Sequence, residues 1–230
     1  MEPIRLDDVT ALPTELAHRL LAVDDVFRAH KYIDSVAGNA RVRPLVAELE
    51  DYLHRFPVRG YHCTREPVAG YFAREGLRLT NVEAHQNEFL RFFGDRFTTS
   101  ELQEMAAAWQ SYFVGISQIR NRNGRLWFCL TKATAGSDGT RVFFKHFGGE
   151  AIFMPLKRHR TIAEKLGSIG LPVIVEVRLP PGAPSKHLSL ALPLLSAYHL
   201  TRYPDAQPWL AQTFVQQPVP ARDVLSVTPV

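Results

Sequence analysis

Glu150 follows Gly148 and Gly149 in the stretch 141–153, RVFFKHFGGEAIF. A carboxylate can stabilise a developing positive charge or orient a hydroxyl. Two glycines permit positive φ and close approach of a ligand or a backbone. Apolar runs at 142–144 and 151–153 flank them, so Glu150 is expected at the mouth of a strand. A Gly-Gly hairpin beside a solvated glutamate reads the same residues without chemistry. His62 is the second candidate, in GYHCT at 60–64. Its ring can hydrogen-bond or carry a proton, and a core histidine with one satisfied nitrogen is the plain alternative. Cys63 is no partner for it, because neighbours on a strand face opposite sides. Arg120, Arg122 and Arg125 lie in RNRNGR, a polar turn with Asn-Gly at its tip. That turn suits a phosphate or nucleic-acid contact, and a solvated loop accounts for it too.

Several chemistries have no residues to carry them. The chain lacks a G-x-x-x-x-G-K-[ST] phosphate loop, a G-x-G-x-x-G turn, a G-x-S-x-G elbow and an H-E-x-x-H pair. No Cys/His spacing fits zinc. The two cysteines, Cys63 and Cys129, make no disulfide framework and read as buried free thiols. With 46% apolar and 22% charged residues in 230, the composition is that of a globular chain. The net charge of +4 is a mild basic bias. No apolar run approaches the roughly 18–20 residues of a membrane helix. The opening MEPIRLDDVT is acidic and lacks an apolar h-region, so a cytoplasmic location is expected.

The elements that must position these groups read as follows. Pro13-Thr14-Glu15-Leu16 opens a helix that continues through Phe27, with 29–37 as its extension to Gly38-Asn39. Pro44 starts another, with Leu45, Val46, Leu49 and Leu53 on one face. The first 56 residues are thus a helical prelude, a cap or a partner-binding element. A short strand at 60–64 follows, then a helix capped by Thr64 with Pro67 in its first turn and Gly76-Leu77 at its end. Residues 80–118 are helical in two pieces, capped at Thr80 or Asn81 and at Thr99-Ser100-Glu101. Strands are expected at 126–131 and 171–179, the second with Val173, Val175, Val177 and Leu179 alternating. A basic helix spans 158–166. Residues 188–200 are ambiguous between strand and helix, and 212–215 and 223–227 read as two closing strands.

Tyr61-His62-Cys63-Thr64, a helix bearing Tyr71, and Gly76-Leu77 together resemble the opening of the ADP-ribosyltransferase fold, in its histidine-first branch. WFCLTK at 127–132 is similar to the middle strand that walls the nicotinamide pocket, and GGEAIF at 148–153 to the segment with the catalytic glutamate. The ending FVQQPVPARDVLSV, 214–227, resembles the closing strands. The resemblance is scattered over 61–77, 126–153 and 171–227 and leaves the first 56 residues uncovered. It implies NAD as co-substrate and no metal. Glu150 would be catalytic. His62, Thr64, Tyr71, Phe128, Thr131 and Gly149 would bind the cofactor, His62 on the adenosine side and Tyr71 and Phe128 stacking on nicotinamide. Arg122, Arg125 and Gln212 would meet the acceptor.

The pattern departs at Gln212, where some DNA-modifying members carry a glutamate before the Val-Pro of the closing strands. Glutamine cannot supply that charge, so either Glu150 is the acid or the fold lacks the activity. The expected architecture is α+β: a helical segment over 1–56, then a transferase-like domain over 57–230 with a small split, antiparallel-rich sheet. The expected function is an NAD-dependent ADP-ribosyltransferase, a toxin or defence effector modifying nucleic acid or protein, with an antitoxin or regulatory protein as a further partner and no membrane. An NAD-using RNA 2′-phosphotransferase, and a non-catalytic binding module on the same fold, are the alternatives.

Overall fold

The computed structural model describes residues 2–114 and 116–230. Residue 115, inside the helical stretch expected over 80–118, lies outside the described residues. After a 3-10 turn at Val9–Ala11 come α1 (Thr14–Leu21), α2 (Asp24–Ala29), α3 (Ile33–Gly38) and α4 (Arg43–His54). Then follow β1 (Val58–Glu66), α5 (Tyr71–Glu75), α6 (Val82–Phe93), α7 (Thr99–Tyr112) and α8 (Ile116–Arg122). The chain continues through β2 (Leu126–Cys129), α9 (Lys132–Ala135), α10 (Arg141–Lys145), α11 (Gly149–Leu156) and α12 (Arg160–Gly167). It ends with β3 (Leu171–Leu179), α13 (Ala191–Arg202), β4 (Gln212–Val215) and β5 (Val224–Pro229).

The fold class is α+β, with one five-stranded sheet in the order β4-β2-β1-β3-β5. Strands β1 and β2 run antiparallel, with Tyr61 opposite Cys129. Gly60 packs on Leu179 and Gly170 on the Glu66 carbonyl, which sets β1 against β3 in opposite directions. By contacts the chain forms two compact units. One comprises Met1–Tyr61, Trp127–Gly136 and Val177–Phe214; the other comprises His62–Leu126, Ser137–Glu176 and Val215–Val230.

In the first unit α13 packs on α3 and α4, and Leu45, Leu49, Leu53, Leu194 and Leu195 are buried. The 188–200 stretch resolves as helix, with Pro193 in its first turn. The Glu50 carboxylate accepts from the Leu190 and Ala191 amides (3.0 and 3.1 Å) and from the Ser189 hydroxyl. That satisfies donors a helix start leaves open. The single helix expected through Phe27 is two helices. Asp24 and Asp25 start α2 afresh, as acidic first-turn residues do.

The second unit buries Phe89, Phe97, Met105, Trp109, Ile152, Phe153, Leu156, Ile162 and Leu166 in one cluster. Here two expectations fail. The apolar runs around Gly148-Gly149 are helical (α10 and α11), so Glu150 is not at a strand mouth. A short apolar run cannot be told from a buried helix by period alone. Glu150, Ala151, Met154 and Leu156 are good helix formers, and the Trp109 indole donates to the Ile152 carbonyl at 3.0 Å, seating α11 on α7. The helix expected from Pro67 also starts late, at Tyr71 after Gly70, and Thr64 lies within β1. Arg65 donates to the carbonyls of Ile169, Gly170 and Phe144 (2.7, 2.7 and 2.5 Å) and keeps the chain extended there. Glu66, buried, accepts from the Phe72 amide at 3.0 Å in place of the expected Thr64 cap.

Candidate functional site

Gly148 is left-handed (φ 87°) and Gly149 also has positive φ (49°), and together they turn the chain into α11. A Cβ on Gly148 would strike Ile152, so glycine is required. Glu150 therefore falls in the first turn of α11, where the helix end favours a negative charge. Its Oε2 lies 3.0 Å from Arg122 Nε, and its Oε1 accepts from Arg122 Nη2 at 3.2 Å. The pair thus has one hydrogen bond and a second close charge contact. The Arg122 side chain is 12% exposed and that of Glu150 39%. The Arg122 guanidinium also sits 5.9 Å from the centre of the Tyr112 ring. Close in sequence, His146 stacks on Phe153 (3.9 Å, 11°) and bonds the Ala163 carbonyl at 2.9 Å. Burial lowers the His146 pKa, with the Ala163 bond opposing and Lys145 and Arg65 assisting.

The same unit holds a groove of about 400 Å³ along α6, lined by Arg78, Asn81, His85, Asn87, Glu88 and Arg91 among others. Asn81 caps α6 through the Ala84 amide, and Asn123, from the turn after α8, accepts from the Val82 amide at 2.9 Å. Arg78 donates to both Glu88 oxygens (3.0 Å each) and to the Tyr71 hydroxyl (2.7 Å). His85 has a lowered pKa, chiefly from burial and next from the Arg78 charge, with Glu88 opposing. Gln86 donates to the Ala151 carbonyl at 3.0 Å, so α6 is fastened to the residue after Glu150.

The residues singled out in the sequence divide between the units. His62, Thr64, Tyr71, Arg122, Arg125, Gly149 and Glu150 belong to the second; Phe128, Thr131 and Gln212 belong to the first. His62 and Thr64 are half-buried on β1. Tyr71 opens α5 and reaches Arg78. The Arg125 backbone takes the Thr80 amide at 3.1 Å. The RNRNGR segment is helix through Arg122 and turns only at Asn123-Gly124, where Gly124 has φ 71°. Phe128 is 2% exposed, a core side chain packed by Gly60. Thr131 is buried and caps α9, accepting from the Thr134 amide at 3.1 Å. Gln212 is the exposed first residue of β4.

Sequence reading passed over Arg78, His85 and Arg91. The signal for His85 and Arg91 was the polar face of VEAHQNEFLRFF, which looked like an ordinary solvated helix side, and Arg78 stands four residues before that helix. Among the described residues no group of three or more His, Cys, Asp or Glu side chains is gathered to hold a metal, and no helix is long and apolar enough to cross a membrane. No family model, curated protein or solved structure matches the chain.

Proposed function

We propose that the chain is an ADP-ribosyltransferase that consumes NAD, with Glu150 as its catalytic carboxylate. One observation supports this most. A partly exposed carboxylate, paired with Arg122 at a glycine-built helix start, shares a compact unit with His62, Thr64 and Tyr71. Cleaving the glycosidic bond of NAD sends the bonding pair to the nicotinamide ring nitrogen, which becomes neutral. An oxocarbenium-like ribosyl cation is left behind. A fixed carboxylate stabilises that cation and can accept a ribose hydroxyl. The acceptor nucleophile then bonds to the anomeric carbon and loses its proton. Each carboxylate oxygen has two lone pairs, so pairing with Arg122 leaves Glu150 capacity to accept from a substrate. His62 and Thr64 would bind the adenosine side and Tyr71 the nicotinamide. Stacking of that kind contributes on the order of 1 kcal/mol beyond burial.

The non-catalytic binding module has an observation of its own. In the same arrangement Glu150 also serves as a strut, fixing α8 to the start of α11. The two readings part on nicotinamide release by the wild type and by Glu150→Gln. A transferase releases nicotinamide and loses that with the substitution, whereas a binding module releases none.

A further inference from the structure

We propose that the α6 groove of the second unit binds single-stranded nucleic acid, its arginines taking the phosphate backbone and Phe92 taking an unpaired base. Two arginines and one glutamate line the groove, and that glutamate, Glu88, pairs with both, at 3.0 Å from Arg78 and 4.0 Å from Arg91, which leaves an excess of one positive charge. Arg78 and Arg91 keep 58% and 70% of their side-chain exposure, so both cations face solvent from the groove. Phe92 adjoins Arg91 and is 57% exposed, with the Arg91 guanidinium 4.4 Å from its ring centre. Arg91 lies over the ring, so a base would stack on the ring surface that Arg91 leaves open or displace the guanidinium; aromatic platforms next to a cationic track are how proteins hold single strands without reading their sequence. His85 and Asn87 add neutral hydrogen-bonding groups between the charges. An acidic peptide would satisfy the arginines and leave the ring unused. A duplex offers no free base face to it.

The groove stands without the transferase reading, but its use as the acceptor site rests on that reading, through Gln86 and the Ala151 carbonyl beside Glu150. The test is fluorescence polarisation on the full chain at low salt. The probes are labelled single-stranded DNA and RNA of about twelve nucleotides, the matching duplex, and poly-glutamate. The expected result is binding of a single strand over duplex and poly-glutamate, falling as salt rises. The two single-strand arms then identify DNA or RNA. Arg91→Ala and Phe92→Ala should each weaken binding about five-fold or more, at unchanged melting temperature. Phe92→Tyr should retain it. Equal binding of duplex or poly-glutamate, no binding at low salt, or full affinity in both alanine variants would overturn the proposal. Glu150→Gln should bind the strand as wild type does, so loss of turnover and loss of strand binding are read separately.

Discussion

Glu150 gives both carboxylate oxygens to one arginine, and that arrangement has a measurable strength. Because the carboxylate is 39% exposed, solvent screens the pair. A double-mutant cycle of Arg122→Ala and Glu150→Ala should return a coupling of about 1 kcal/mol. A coupling near zero would mean that the pair does not hold α8 to α11. The histidines carry a second prediction at this scale. His85, His146 and His199 all have pKa values pushed below the ordinary 6.5, with burial the largest cause in each. In the native state these histidines therefore stay neutral at pH values where the unfolded chain protonates them. Stability is intact above the unfolded pKa and falls as pH drops below it. The melting temperature should decline on acidification from about pH 7.5 to about pH 5.5, and less steeply in His85→Asn. A melting temperature flat over that window would contradict the assignment. Asp24 acts in a separate, lower window. Burial pushes its carboxyl up, but Tyr203, Arg202 and Tyr198 outweigh that and hold it below 3.8, so its contribution is lost only in stronger acid.

At the scale of elements, Gly76 closes α5 and aligns the next residue. Its φ is 73°, and an added Cβ would run into the Val219 carbonyl. Leu77 and Val219 exchange backbone hydrogen bonds of 2.7 and 2.8 Å there. Gly76→Ala should cost about 2–4 kcal/mol, from backbone strain plus the clash, measured by urea unfolding. A loss under about 0.5 kcal/mol would show that the bridge is dispensable. This helix end could be read in the sequence because glycine followed by an apolar residue is local chemistry. The Asn81 cap, the alternating β3 and the Asn123-Gly124 turn were legible for the same reason. The segment around Glu150 was not. Its apolar runs fit either period, and the choice of helix is made by Trp109, α7 and α6, which are distant in the chain. The late start of α5 is also a tertiary outcome, since Arg65 binds carbonyls 79, 104 and 105 residues onward.

At the scale of the whole molecule, most of the candidate machinery lies within one unit: His62, Thr64, Tyr71, Arg122, Glu150 and the α6 groove. Residue types and spacing pointed to His62, Arg122 and Glu150, and the resemblance added Thr64 and Tyr71. The groove stayed hidden because amphipathic helices always show a polar face, and only folding gathers Arg78, His85 and Arg91. Phe128 and Thr131 belong to the other unit, buried and used in packing and capping, so Tyr71 is the aromatic group to test first for stacking. The most direct test is nicotinamide release from NAD by the purified chain, wild type beside Glu150→Gln and His62→Ala. The expected result is release by the wild type, abolished by Glu150→Gln and strongly reduced by His62→Ala, with melting temperatures kept. No release by the wild type, together with no rise in melting temperature on adding NAD, would contradict the transferase.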